Sequence, residues 1–377
     1  MSVSADLTPE EKQRAFADRL AQLTPRNPPN RAPGVQPRAM LLGGQPAAGK
    51  TTTQRLVHAA LGPDHVASYD GDDNAAVHPR YDALRREHGI EGHDMASKVL
   101  NNGDNWELHF AALKHLREGE PQYDILASHP LAREEWARGW VNGFKEQGYQ
   151  VSVAYVATNH ANSTIGLAER YQNGVDNEGG GRWLDPDLHD EFYNELPDTA
   201  QVLESEGLVD DIYVVDRDGN VLYENHRDAD GNWEQEPAVK QAIIDERDRP
   251  PTPAAHEYLT QTADRLLDNR DPSLPPLEPK VREAVERAVS RENERPAPEA
   301  STRGQDTSQR IDARLATTLA HTRPAGIDEA TWNAQRAATS GVAAVGTAQP
   351  PAANAPAQPA PGVQAQQRDK PGASSER

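Results

Sequence analysis

Between residues 40 and 53 the chain reads MLLGGQPAAGKTTT. Three apolar residues, Met40, Leu41 and Leu42, lead into a run of small residues that ends in Gly49-Lys50-Thr51. With Gly44 five positions before Gly49, the stretch satisfies the phosphate-loop pattern G-x-x-x-x-G-K-[ST]. The spacing has a mechanical reason. Gly43, Gly44, Ala47, Ala48 and Gly49 let the backbone wrap closely around an anion with its N–H groups turned inward. Lys50 then reaches the outer phosphates and the Thr51 hydroxyl becomes a Mg²⁺ ligand. A helix over residues 52–61 aims the positive end of its dipole at the same charge. Strand, loop and helix in this order are the context the pattern demands. The expected nucleotide contacts are therefore Gly44, Gln45, Pro46, Ala47, Ala48, Gly49, Lys50, Thr51 and Thr52, with ATP and Mg²⁺ as the bound species.

Composition limits what surrounds this site. Of 377 residues only 36% are hydrophobic and 5% aromatic, and 30 are proline, too lean for one core running end to end. A net charge of −20 argues against nucleic acid and against an anionic membrane surface as partners. With no cysteine there is no disulfide framework, thiolate zinc site or catalytic thiol. The N-terminus is polar and acidic with no apolar secretory core, and no stretch approaches a membrane span of about 18 apolar residues. A cytoplasmic protein is expected, with export that needs no cleaved N-terminal signal left open.

In chain order, Thr8, Pro9 and Glu11 have the spacing of a helix start with a capping box, and the helix extends to about residue 23. A proline-rich linker over 25–37 delivers the chain to a strand at 39–43. A short strand at 66–69 ends in Asp70, Asp72 and Asp73, and a long helical region occupies 90–118. Strand 124–128, helix 132–147 and the β-branched strand 150–157 follow. A helix over 163–171 closes in Glu169-Arg170-Tyr171, then comes NGVDNEGGGR, a polar glycine-rich loop ending at Arg182. Helix 184–206 contains Pro197, and strands 211–215 and 221–224 flank an Asp-Gly turn. Strands alternating with helices give an α/β, three-layer P-loop NTPase kinase fold with a mainly parallel sheet over residues 1–235. Residues 236–340 read as a partly helical extension outside the compact kinase, with helices near 254–268, 280–294 and 308–321. Residues 341–377, rich in Ala, Pro and Gln, read as a disordered tail.

Phosphoryl transfer needs a phosphate cradle, a metal, a carboxylate and cations for the transition-state charge. About 20 residues after Lys50, the Asp70-Gly71-Asp72-Asp73 stretch supplies carboxylates at a strand end, where α/β sheets bind ligands. Along an extended strand end Asp70 and Asp72 point the same way. Asp72 is then the base that takes the acceptor proton, and Asp70 serves the metal. Arg170 and Arg182, one at each end of the glycine-rich loop, fit a lid that closes over a triphosphate. The histidines show no zinc spacing, and Trp106, Trp136 and Trp140 read as core residues.

The motif order resembles the zeta toxins, P-loop kinases of epsilon/zeta toxin–antitoxin systems, over residues 5–225. The resemblance rests on LLGGQPAAGKT, on DGDD followed by HPRYDAL, on ERY before the glycine run, on Arg182 after it, and on DIYVVDRDGNVLYE. It implies transfer of the γ-phosphoryl of ATP to a sugar hydroxyl of UDP-N-acetylglucosamine, which blocks cell-wall synthesis. It implies Lys50, Asp72, Arg170 and Arg182 as the catalytic set, Thr51 as metal ligand, and Glu107 as a contact to the sugar-nucleotide. It also implies a small helical antitoxin encoded separately. One departure stands out: after the third strand many members carry an E-G-T-type segment, and here the strand ends Ala127-Ser128-His129-Pro130. Ser128 and His129 thus stand where the acceptor wall is expected. A kinase with another acceptor (an antibiotic, a nucleotide or a dinucleotide) and a nucleotide-binding interaction protein are the alternatives.

Overall fold

Residues 2–32 and 34–297 are described by a computed structural model of the chain. The apolar run before the phosphate loop is strand β1 (Arg38–Gly43), and it lies inside a sheet. The other strands are β2 (Val66–Asp70), β3 (Asp124–Ser128), β4 (Gln150–Val156), β5 (Asp211–Val215) and β6 (Val221–His226), in the order β2-β3-β1-β4-β5-β6. The first five are parallel and β6 runs antiparallel at the edge. β1, β4 and β5 are buried almost throughout, the pattern of strands covered on both faces.

Helices make the outer layers. On one face Val57 of α2 (Lys50–Leu61) packs on Leu42, Leu126, Ala154 and Val156. On the other, α5 (Glu107–Glu118), α6 (Glu134–Lys145) and α8 (Pro186–Ser205) bury Leu113, Trp140, Phe144, Phe192 and Leu196 against the sheet. β1 and β3 are neighbours whose connections leave in opposite directions, α2 leading to β2 and α6 to β4. Such a switch point opens a crevice at the C-terminal strand ends. Register aligns the floor of that crevice, because Ser128 pairs with both Leu42 of β1 and Asp70 of β2.

Helix α1 (Pro9–Leu23) starts as expected: the Thr8 hydroxyl accepts the Glu11 amide and Glu11 accepts the Thr8 amide. The 90–118 region is not one helix. It divides into α4 (Gly92–Leu100) and α5, because Asn102, Gly103 and Trp106 take left-handed backbone angles, with φ of 52°, 66° and 53°. α3 (Tyr81–His88) precedes α4. Trp140 is buried as expected, whereas Trp106 is 48% exposed on the turn before α5.

Two larger differences concern the site. The polar stretch after Tyr171 is helical: α7 runs from His160 to Glu178 and Gly179, at φ 74°, caps it. Tertiary ion pairs hold this turn: Arg270 bonds Asp176 at 2.6 Å, Arg265 bonds Glu169 at 2.7 Å, and Arg85 of α3 bonds Glu178 at 3.2 Å. The glycines after it are packed, not hinged. A Cβ on Gly180 would collide with Arg85, and one on Gly181 with the Tyr171 carbonyl.

The chain also does not leave the folded body at residue 235. Helix α9 (Val239–Asp248), unforeseen in the sequence, buries Val239 and Ile243 in the main core. Helices α10 (Pro253–Leu267) and α11 (Pro279–Asn293) pack Leu259, Leu266, Val281 and Val285 on Ile165, Ala168 and Tyr171. The valines spaced four apart in α11 are thus the seam against a neighbour. The helix expected at 308–321 and the tail at 341–377 lie outside the described residues. Gly181→Ala discriminates a packed glycine from a hinge. It is expected to lower stability by about 1–3 kcal/mol through overpacking, whereas a free loop would gain about 0.4–1 kcal/mol from the same change. Chemical denaturation reads the sign.

Candidate active site

The phosphate loop leaves β1 through Gly44 (φ 144°), Ala47 (φ 60°) and Gly49 (φ 111°), angles that favour glycine and bend the backbone into a cradle. Added Cβ atoms on Gly44 and Gly49 would meet Val156 O and Arg217 Cγ at 3.1 Å, so both positions also need the missing side chain. Three ties fix the loop. The Gly44 amide donates to Pro130 O at 3.0 Å, the Thr158 hydroxyl to Ala48 O at 2.7 Å, and the buried Gln45 amide to Thr158 O at 2.7 Å. Lys50 Nζ folds over the loop and donates to Gly44 O (2.6 Å) and Gln45 O (3.0 Å). Burial lowers its pKa to about 8 against the opposing pull of Asp70 and Asp72, so it stays mostly protonated near neutrality. Thr51 and Thr52 are exposed in the first turn of α2, and Pro46 is half-buried in the loop.

Asp72 and Asp73 are not on an extended strand. The Asp70 carboxylate accepts the Asp72 amide at 3.0 Å and so caps a 3-10 turn over Gly71–Val77. The turn sets Asp72 off the end of β2, where Arg182 pairs with it. Asp72 keeps 44% of its side chain accessible on the open side of the cleft. Burial on the protein side would raise its pKa, but the Arg182 and Arg170 charges outweigh it and hold the carboxyl at about 2. Asp70 goes the other way: burial first, then the Asp72 charge, raise it to about 6. Asp73 is exposed and stands outside the pair. On the opposite wall Arg170 lies within α7, not at a loop end. Its Nε and Nη2 are buried without a hydrogen-bond partner, and burial together with the Arg182 charge lowers its pKa to about 10.

These groups fit an anionic nucleotide. A glycine cradle, a lysine at its lip and an arginine with two unpaired nitrogens are a donor set that suits phosphate oxygens. The Thr51 hydroxyl and the Asp70 and Asp72 carboxylates are the hard oxygen donors that suit Mg²⁺.

Ser128 is buried at the end of β3 and the His129 amide donates to Leu42 O at 3.1 Å, beside the loop. Burial, then the His109 charge, hold His129 at about 3, so it is a neutral ring. It sits 4.9 Å from Trp140 and 6.4 Å from His109, whose Nδ1 is 2.8 Å from the Tyr69 hydroxyl. Glu107 opens α5 and pairs with Lys12 at 2.6 Å. Two contributors were missed in the sequence. Arg19 of α1 donates to Asp70 O (2.9 Å) and Asn74 (2.8 Å), bracing the carboxylate turn from an otherwise ordinary amphipathic helix. Arg247 of α9 reaches Gln45 at 3.0 Å from 202 residues away, and no local signal marks it.

Among the described residues one further cluster has metal-ligating types: His160, His189 and Asp190. Both rings contact Asp190 Oδ1, at 2.6 and 3.0 Å, and their other nitrogens meet Thr164 and Ser163. Arg287 and Arg291 face Asp190 Oδ2 at 3.6 and 3.5 Å. With every ring nitrogen engaged and two cations at the carboxylate, the cluster is a polar tie among α7, α8 and α11.

The family model for zeta toxin matches residues 21–228. The chain belongs to the zeta toxin family. Toxin PezT of Streptococcus pneumoniae serotype 4 is 28% identical over 225 residues, covering 58% of this chain and 83% of that protein. Toxin zeta of Streptococcus agalactiae is 26% identical over 212 residues, covering 56% and 71%. A solved structure from the characterisation of the PezAT chromosomal toxin–antitoxin system of S. pneumoniae superposes with a TM-score of 0.55 at 24% identity, covering 69% of this chain and 97% of that one. That superposition agrees with the P-loop kinase fold. Arg19 and α9 to α11 lie outside the stretch matched by the family model.

The electrostatics give a signed expectation. In Arg182→Gln the Asp72 carboxyl loses its nearest cation, and its pKa rises from about 2 towards the ordinary carboxylate range. Carbon-13 NMR titration of labelled aspartate measures the shift. Because the folded-state pKa of Asp72 is depressed, its contribution to stability is present above the unfolded pKa near 3.9 and is lost as pH falls through about 2.

Proposed function

We propose that the chain is an ATP- and Mg²⁺-dependent kinase toxin that phosphorylates a sugar hydroxyl of UDP-N-acetylglucosamine. The observation that carries this reading is the placement of Lys50, Asp72, Arg170 and Arg182 around one crevice at the C-terminal strand ends. Family membership supports it, as does the glycine cradle.

In this reading the loop amides and Lys50 hold the β- and γ-phosphates. Thr51 and Asp70 would hold Mg²⁺, which would supply positive charge to offset that of the phosphate oxygens. Arg170 donates from its unpaired guanidinium to the γ-phosphate, and Arg182 exchanges its Asp72 partner for a phosphate oxygen. That exchange matters for the base. A carboxylate held near pKa 2 is a weak proton acceptor, and loss of the Arg182 contact raises its basicity. Asp72 then takes the proton as the acceptor oxygen attacks the γ-phosphorus and ADP leaves. Ser128, His129 and Glu107 line the acceptor side. The neutral His129 ring can hydrogen-bond a hydroxyl without adding positive charge to the crevice.

A second reading has its own observation: the β3 end carries Ser128-His129-Pro130 where an E-G-T-type segment is expected. It keeps the reaction and changes the acceptor to another small molecule. The relative studied as a toxin–antitoxin system supports a separately encoded antitoxin as partner here. The reaction is placed in the cytoplasm, where ATP is available.

Incubation with ATP, Mg²⁺ and UDP-N-acetylglucosamine is expected to add the mass of one phosphoryl group to the sugar-nucleotide. Asp72→Asn is expected to lower turnover about 10²–10⁴-fold. Undiminished turnover by that variant would remove Asp72 as the base. An untouched sugar-nucleotide, with another acceptor labelled in the same assay, would favour the second reading.

A further inference from the structure

Arg247 sits in the last turn of α9, outside the residues matched by the family model, and only 3% of it is exposed. Its guanidinium stacks on the Tyr193 ring at 3.9 Å and has no carboxylate partner among the described residues. Burying an unpaired cation costs several kcal/mol unless other groups or a bound anion compensate. Two acceptors take its hydrogens. Nη1 donates to Tyr193 O at 2.7 Å, and Nη2 to Gln45 Oε1 at 3.0 Å.

Both acceptors have a specific origin. Pro197 lies inside α8 and has no N–H, so the carbonyl four residues earlier, that of Tyr193, lacks its helical donor. Arg247 fills that vacancy. Gln45 is fully buried within the phosphate loop, and its amide nitrogen already serves Thr158 O at 2.7 Å. Its oxygen has Arg247 as hydrogen-bond donor, and its main-chain oxygen accepts Lys50. The backbone of Arg247 is held in turn, since Asn159 Nδ2 donates to Arg247 O at 2.8 Å. His189 feels both the Arg247 and Lys50 charges, which places the guanidinium in the electrostatic neighbourhood of the cradle.

We infer that Arg247 is a positioning residue of the nucleotide site: through Gln45 it fixes the phosphate loop, and it adds a buried positive charge behind the bound phosphates. Helix α9 is therefore tied to the nucleotide site and is not an appendage to it. This inference rests on the ATP-kinase reading for its kinetic consequence, though the tie to the loop stands apart from the choice of acceptor.

The test uses the full chain with Arg247→Met, Arg247→Lys, Gln45→Leu and the double variant Arg247→Met/Gln45→Leu. Leaving the buried Gln45 oxygen without a donor is expected to raise the KM for ATP about tenfold, with kcat within about threefold of wild type. Hydrogen exchange of the amides in residues 44–49 is expected to quicken while that of α1 does not. Lysine can reach one of the two acceptors but cannot fork between them, so Arg247→Lys falls between wild type and Met. The double variant is expected to lose less than the product of the two single losses, because both changes break the Arg247–Gln45 contact while each also removes a separate one, to Tyr193 O or to Thr158 O. A folded Arg247→Met with unchanged ATP KM and unchanged loop exchange overturns the inference, as do single losses that multiply in the double variant. If Arg247→Met does not fold, Gln45→Leu carries the same two readouts. If the wild type proves not to use ATP, the kinase reading falls, and loop exchange alone decides this one.

Discussion

Charge pairing across the crevice, Asp72 against Arg182 with Arg170 beside them, is the interaction on which the site depends. It joins two parts of the chain more than 100 residues apart, the turn after β2 and the segment after α7. Asp70 and Asp72 repel one another, and Arg170 and Arg182 do the same. Brought together, each pair offsets the other, and the cleft holds opposed charges that a bound triphosphate can redistribute. The low pKa of Asp72 and the unpaired nitrogens of Arg170 belong to the same arrangement: Arg182 holds the carboxylate, while two buried nitrogens of Arg170 have no hydrogen-bond partner.

The fold was largely legible because its signals are local. The apolar entry to the phosphate loop, the β-branched run of β4 and the Thr8–Glu11 capping box each name their own structure. So does the strand end at Asp70, since an acidic cluster following an apolar strand belongs at a sheet edge. Misreadings arose where distant partners decide the conformation. Residues 173–178 look like a polar loop and fold as helix because Arg85, Arg265 and Arg270 pair with their acidic residues and with Glu169. The three glycines that follow suggest a hinge, yet Gly180 and Gly181 are needed for close contact with Arg85 and Tyr171. Asp72 lies at the sheet edge that its position after an apolar strand implies, but on a turned backbone, since an Asx-type cap by Asp70 bends the chain there.

The candidate site was legible to the extent that its members carry motifs. Lys50, Thr51, Asp72 and Arg182 do. Arg19 and Arg247 do not, because an arginine on an amphipathic helix reads as solvated until the packing shows what covers it. Both lie outside the matched family stretch, Arg19 before it on α1 and Arg247 after it on α9. The site is thus assembled by the central sheet and braced from outside it: Arg19 holds the carboxylate turn and Arg247 the phosphate loop. The same packing explains why low overall hydrophobicity did not prevent a large folded body, since α10 and α11 add a second small core on α7.

In the proposed mechanism Arg170 donates to the γ-phosphate. Calorimetric titration of Mg-ATP into wild type and Arg170→Gln, without acceptor, tests it most directly. The account predicts that the variant folds normally and binds Mg-ATP at least about tenfold more weakly, the loss expected when a charge-assisted phosphate contact is removed. Equal affinity in the two proteins would remove Arg170 from the proposed phosphate contacts.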